Sequence, residues 1–161
     1  MRVMIVAVGR MKAGPERELV ARYLERAVAG GKPLGLVDFT VTELPESRAS
    51  SAQARKTEEA RAIRAALPEK SVVIALDERG KSLPSIDFSD RIAQWRDGGR
   101  PALALLIGGA DGLDSQLRHE ADLVISFSAM TWPHQLVRIM AAEQLYRATT
   151  ILSGHPYHRG E

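Results

Sequence analysis

Apolar positions along the chain switch between two rhythms. Val3–Val8 is an unbroken apolar run, the pattern of a strand covered on both faces. From Pro15 to Ala29 the residues Leu19, Val20, Tyr23, Leu24 and Val28 recur at helical spacing, and Gly30-Gly31 closes the segment. Leu36–Leu44 alternates and is β-rich. Ser51–Leu67 is rich in Ala, Arg and Glu and reads as a helix stopped by Pro68. Val72–Leu76 predicts a third strand, Ser85–Trp95 a helix starting near Pro84, Ala102–Ile107 a fourth strand and Leu123–Phe127 a fifth. Pro133–Leu152 is the longest predicted helix, with Thr131 as its expected N-cap and a short tail after it.

Strands and helices in alternation predict an α/β fold with a mostly parallel central sheet flanked by helices. No linker, repeat or low-complexity stretch divides the chain, so residues 1–161 read as one domain. Ligands of such sheets bind beyond the carboxyl ends of the strands. The loops after Leu76, Ile107 and Phe127 are therefore the places to look.

Composition narrows the class. Hydrophobic residues make up 45% and charged residues 26% of the 161, as in an ordinary globular protein. The absence of cysteine excludes a disulfide framework, a thiolate metal site and a cysteine nucleophile, and suits the cytoplasm. No apolar stretch approaches the roughly 20 residues of a membrane span. The run after Met1 is too short for a signal peptide and is followed by Arg10 and Lys12. A formal charge of +2 is a weak bias for a nucleic-acid binder. An RNA partner would have to be gripped locally or by a surface that two subunits share.

Five segments carry candidate chemistry. Gly80-Lys81-Ser82 resembles the end of a phosphate-binding loop, but the glycine that motif needs five positions earlier is Ala75, so DERGKS reads as a polar turn after a strand. IGGADGL, Ile107–Leu113, has glycines that let the backbone approach a ligand, though not at dinucleotide-fingerprint spacing; a tight strand-to-helix turn explains it equally well. FSAMTWPH, Phe127–His134, puts large Met130 and Trp132 beside small Ser128 and Ala129, an apolar slot with free backbone groups that suits a flat ring. The Pro133–Leu152 helix is apolar nearly all round, as in a helix deeply buried or packed on a partner. Arg138 and Arg147 on it are candidates for phosphate, while Glu143 and Arg147, one turn apart, can simply pair. The tail GHPYHRGE offers His155, Tyr157, His158 and Arg159, in which Tyr can stack on a base and Arg can hold phosphate. Its histidines lack the partners of a zinc site, and no metal is expected.

Three blocks in order, LLIGGADGL, SFSAMTWPHQLVRIMAAEQLYRA and GHPYHR, resemble the RlmH family of ribosomal RNA large-subunit methyltransferases, minimal members of the SPOUT class. The resemblance runs from VAVGR to the final HRG. It implies a C-terminal trefoil knot, which general topology rules would not suggest, a homodimer, and S-adenosylmethionine as methyl donor. The implied reaction is methylation of N3 of a pseudouridine in 23S rRNA on the assembled 70S ribosome. Carried over, the cofactor pocket comprises Leu76, Gly108, Gly109 and the loop of Phe127, Ser128, Ala129, Met130, Thr131 and Trp132. Candidate catalytic groups are His155, Tyr157 and His158; candidate RNA contacts are His134, Arg138, Arg147 and Arg159. Competing readings are a nucleotide- or flavin-binding doubly wound enzyme, a non-catalytic ribosome-assembly factor, and a SPOUT enzyme acting on tRNA.

Overall fold

A computed structural model describes residues 1–159; the last two tail residues, Gly160 and Glu161, lie outside them. Five strands, β1 (Arg2–Val8), β2 (Val37–Leu44), β3 (Val72–Lys81), β4 (Ala102–Ile107) and β5 (Leu123–Ile125), form one sheet in the order β2-β1-β4-β3-β5, and all four pairings are parallel. Helices α1 (Pro15–Gly31), α2 (Ala52–Ala66), α3 (Ser85–Asp97), α4 (Ser115–Glu120) and α5 (His134–Leu152) connect or follow them. A 3-10 turn over Lys32–Leu34 links α1 to β2.

The alternation of side chains along the strands splits the core in two. Val3, Ile5, Leu103, Leu105 and Ile74 face α1, α3 and α5, meeting Leu24, Phe88, Ile92, Ala142 and Leu145. Val6, Val8, Ala75, Ala104 and Leu106 face α2 and α4, meeting Ala60, Ile63 and Leu117. Every residue of β4 is buried. That is the physical reason its sequence, ALALLI, is apolar without interruption.

The structure revises several boundaries. α1 runs through Gly30-Gly31 into the 3-10 turn instead of ending before them. β3 runs on to Lys81, so DERGK is not the expected turn. Ile125 of β5 pairs with both Leu76 and Lys81, and the residues between form an excursion from the ladder. α4, the helix between β4 and β5 that the alternation implied without bounds, is short and capped by the Asp114 carboxylate on the Gln116 and Leu117 N–H groups. Thr131 is not the N-cap of α5: Pro133 is, and the helix starts at His134 with no side-chain cap. A residue before proline is pushed out of the helical region, so the chain stays extended up to Pro133.

Candidate cofactor site

The carboxyl ends of β3, β4 and β5 open into one cavity of about 400 Å³. Its walls come from three segments: Leu76–Arg79 after the paired part of β3, Ile107–Leu113 after β4, and Ile125–Trp132 after β5. Of the expected cofactor residues, Leu76, Gly108 and Gly109 line it, as do Phe127, Ser128, Met130, Thr131 and Trp132. Ala129 belongs to the same loop but is not part of the lining. His134, expected as an RNA contact, also borders the cavity.

Each wall segment has a local reason for its shape. The β4 loop folds back on itself through a Gly109–Gly112 bridge. A Cβ at Gly108 would stand 2.7 Å from the backbone of Gly112 and Leu113, so a side chain there would spread the turn. The glycines make the tight turn, and the turn lines the cavity. In the β5 loop the Ser126 hydroxyl donates to the Ser128 carbonyl at 2.7 Å, and the Met130 N–H donates to the Ser128 hydroxyl at 2.9 Å. These short-range bonds hold the loop open without a helix.

Charged groups that the sequence did not assign to this site also border the cavity. Lys56, Asp77, Glu78, Arg79, Asp111 and Arg118 line the cavity. Arg55 grips Asp111 through two nitrogens at 2.6 and 3.1 Å, tying α2 to the glycine loop. That hydrogen-bonded guanidinium holds the Asp111 carboxyl below its ordinary range. Arg118 pairs with Asp77 at 3.3 Å. Glu59 of α2 is buried, accepts the Ser47 N–H at 3.0 Å, and has its other oxygen against Gly109. The signal for Glu59 was available: it lies next to Ala60 and one turn before Ile63 on the buried side of an otherwise polar helix.

The remaining expected site residues lie elsewhere. Arg138 is 4% exposed; its guanidinium donates to the Glu43 carboxylate at 2.5 Å and to the Gly9 carbonyl at 3.1 Å. This corrects its place among the RNA contacts, because a guanidinium enclosed by its own chain has no face for a phosphate. Burial alone would push the Glu43 carboxyl up. The Met11 N–H and the Arg138 guanidinium outweigh it and leave that carboxyl below the ordinary value.

His155, Tyr157, His158 and Arg159 do not line the cavity. Tyr157 and His158 fold back on α5. The Tyr157 hydroxyl donates to Glu143 at 3.0 Å, and its ring lies 4.7 Å from that of Tyr146 and 4.8 Å from the Arg147 guanidinium. Arg147 donates to Glu143 at 2.6 and 3.0 Å and contacts Nδ1 of His158 at 3.2 Å. The expected Glu143–Arg147 pair therefore forms and leaves Arg147 engaged on three sides. Since a guanidinium only donates, Nδ1 accepts, and a neutral His158 ring carries its proton on Nε2. Desolvation, followed by the hydrogen bond to Glu143, pushes the Tyr157 phenol up to about 12. A spectrophotometric titration should accordingly show a tyrosinate step near pH 12 that Tyr157→Phe removes; a wild-type curve complete well below that pH would contradict the packed tail.

Known proteins resemble this chain over essentially its whole length. The family described as "Predicted SPOUT methyltransferase" matches residues 1–158. The chain belongs to the SPOUT methyltransferase family. It is a methyltransferase, with S-adenosylmethionine as the methyl donor. A relative from Allorhizobium ampelinum, named ribosomal RNA large subunit methyltransferase H, is 59% identical over 159 residues, covering 99% of both chains. One of the same name from Methylorubrum populi is 57% identical over 162 residues, covering 100% of this chain and 98% of its own. The crystal structure of a probable methyltransferase from Bordetella pertussis Tohama I has the same fold, with a TM-score of 0.52 at 15% identity over 91% of this chain and 93% of that one.

The residues present fit that donor. The cavity has the size of a small-molecule site. A glycine floor allows close backbone approach, and Phe127 and Trp132 supply apolar walls for a flat ring. Among the described residues, no cluster of acidic or histidine side chains could hold a metal ion, and no helix is long and apolar enough to cross a membrane.

Proposed function

We propose that this methyltransferase modifies large-subunit ribosomal RNA, with N3 of a pseudouridine in 23S rRNA as the acceptor and the assembled 70S ribosome as the substrate, and that it works in the cytoplasm as a homodimer. One observation carries the reading: relatives bearing the large-subunit name match essentially the entire chain, including every segment that walls the cavity. A formal charge of +2 supports the dimer, since one subunit alone offers little electrostatic grip on RNA. Met130, Trp132 and Leu136, exposed by 70, 39 and 42%, supply apolar surface around the start of α5 for such an assembly. The reading carries the knotted C-terminal segment with it.

The bound donor supplies a methyl carbon that is already electrophilic. This chain's task is to align the acceptor with it, a proximity effect. Gly108 and Gly109, which line the cavity, would bring backbone groups to the donor, and Phe127 and Trp132 would flank it. The acceptor nitrogen must lose a proton before or during attack. His134 stands at the cavity, and His155, Tyr157 and His158 are the tail's candidates for that step or for holding the base, with Arg147 and Arg159 toward phosphate. In the folded-back arrangement Nδ1 of His158 is occupied by Arg147, so His158 can accept a proton there only after that contact breaks.

Purified protein incubated with labelled S-adenosylmethionine should place label in 23S rRNA when whole ribosomes are supplied, and much less with free 23S rRNA. Label in tRNA would refute the proposed substrate while leaving the fold intact. No label anywhere, with donor binding retained, would favour the assembly-factor reading.

A further inference from the structure

Glu143 lies midway along α5 and is the hub of a hydrogen-bonded chain. Its Oε1 accepts from the Arg147 guanidinium and from the Tyr157 hydroxyl. Its Oε2 accepts the Gln144 amide at 2.8 Å, and the Gln144 Oε1 accepts the Ser85 hydroxyl at 2.8 Å. Ser85 and Gln144 border a second cavity of about 140 Å³, which shares Ile125, Ser126 and Phe127 with the cofactor cavity. One carboxylate therefore connects the tail to the lining of the second cavity, which adjoins the donor site. The Glu143 side chain is 16% exposed, so its bonds face little competition from water.

We propose that Glu143 is a positioning residue: it holds Tyr157 directly and His158 through Arg147, and so sets where the tail stands during methyl transfer. The proposal rests on the reading that the tail takes part in the reaction. Local chain preference does not explain the arrangement. The tail follows the end of α5, where last residues ordinarily fray, yet Tyr157 and His158 are only partly exposed. The bonds to Glu143 and Arg147, with the tilted packing of the Tyr157 ring against Tyr146, account for that order. Gln144 and Ser85 extend the mount by two hydrogen bonds to the second cavity, whose lining includes Phe127.

The test compares Glu143→Gln and Arg147→Lys with the wild-type full-length protein in three measurements: donor affinity by calorimetry, kcat and KM for the RNA substrate, and heteronuclear NOEs of the Tyr157 and His158 amides. Glu143→Gln keeps the shape and removes the charge; Arg147→Lys keeps the charge and loses the fork that spans Glu143 and His158. The expected result in both is donor affinity within about twofold, kcat lowered about a hundredfold as for a misplaced reacting group, and NOEs falling to the values of a mobile terminus. Normal kcat in both variants overturns the proposal, as does a fall in kcat with tail amides as rigid as before, or a loss of donor affinity equal to the loss of turnover. A Tyr157→Phe/His158→Ala double variant serves as the separate arm. If that variant turns over normally, the reading of the tail fails and takes the positioning role with it. If it is inactive while Glu143→Gln is not, the positioning role alone fails.

Discussion

Gly80→Ala costs the fold about 3 kcal/mol and disorders one wall of the donor cavity. A Cβ at Gly80 would lie 2.5–2.7 Å from the N, C and O atoms of Ile125, closer than real contacts allow and against main chain that cannot rotate aside. The strain must be absorbed by moving β5 from β3 or by straightening the Asp77–Gly80 excursion. Either change shifts Ile125–Trp132, which walls the cavity, and breaks the Ser126 N–H bond to the Lys81 carbonyl, 2.9 Å long. Forced overpacking typically costs 1–3 kcal/mol, and a backbone partner puts this site at the upper end, about 3 kcal/mol. For a chain of this size that is roughly 6–12 °C of melting temperature. Calorimetric melting and donor titration check it together: the variant should melt earlier and bind S-adenosylmethionine at least tenfold more weakly at a temperature where it is still folded. Unchanged affinity in a folded variant would mean that the excursion does not shape the wall.

Arg138→Met destabilises the protein by about 3 kcal/mol without altering the salt dependence of RNA binding. Removing one partner of an enclosed ion pair usually costs 3–5 kcal/mol, and Glu43, whose side chain is 24% exposed, recovers part of that from water. The variant leaves Glu43 with the Met11 N–H as its principal partner and unties α5 from the Gly9 carbonyl. The pH dependence follows from the Glu43 carboxyl, whose folded-state pKa lies below its usual value of 4.5. A depressed carboxylate adds stability above the unfolded value and loses it as pH falls through the folded one. Wild type should therefore gain stability as pH rises through the acid range to the ordinary carboxylate value of 4.5, and Arg138→Met should lose the share of that gain that comes from the guanidinium while keeping the share from the Met11 N–H. Urea denaturation at several pH values measures both. A phosphate contact makes the opposite forecast: a reduced salt slope for RNA binding and near-normal stability.

How much of this was legible beforehand differs by level. Strand and helix order followed from the two apolar rhythms, because burial on both faces of β1 and β4 demands unbroken apolar runs and helices on one face demand a stripe. The loops that wall the cavity were legible for a related reason: ligands of parallel sheets bind beyond the strand carboxyl ends, and IGGADGL and FSAMTWPH stand at those ends. The DERGK excursion was misread because its glycine looks like a turn residue. Only the approach of Ile125, 45 positions later, shows that the glycine is there for lack of room.

Long-range pairing was beyond the reach of the chain read locally. Arg138 meets Glu43 across 95 residues, Arg55 meets Asp111 across 56, and Gln144 meets Ser85 across 59. An arginine in sequence is equally suited to a phosphate and to a buried carboxylate, and only its enclosure decides between them. The tail shows the same limit: its histidines and tyrosine announced chemistry, but their docking on Glu143 and Arg147 depends on α5 lying alongside. By itself the amino-acid sequence determined the α/β class, the positions of the loops that build the cavity, and membership in the methyltransferase family, because these rest on local periodicity and on residues adjacent in the chain. The tertiary structure alone decided which charges are consumed in holding the fold and which border the cavity, because the energy of a charge depends on the groups and the water that packing leaves around it.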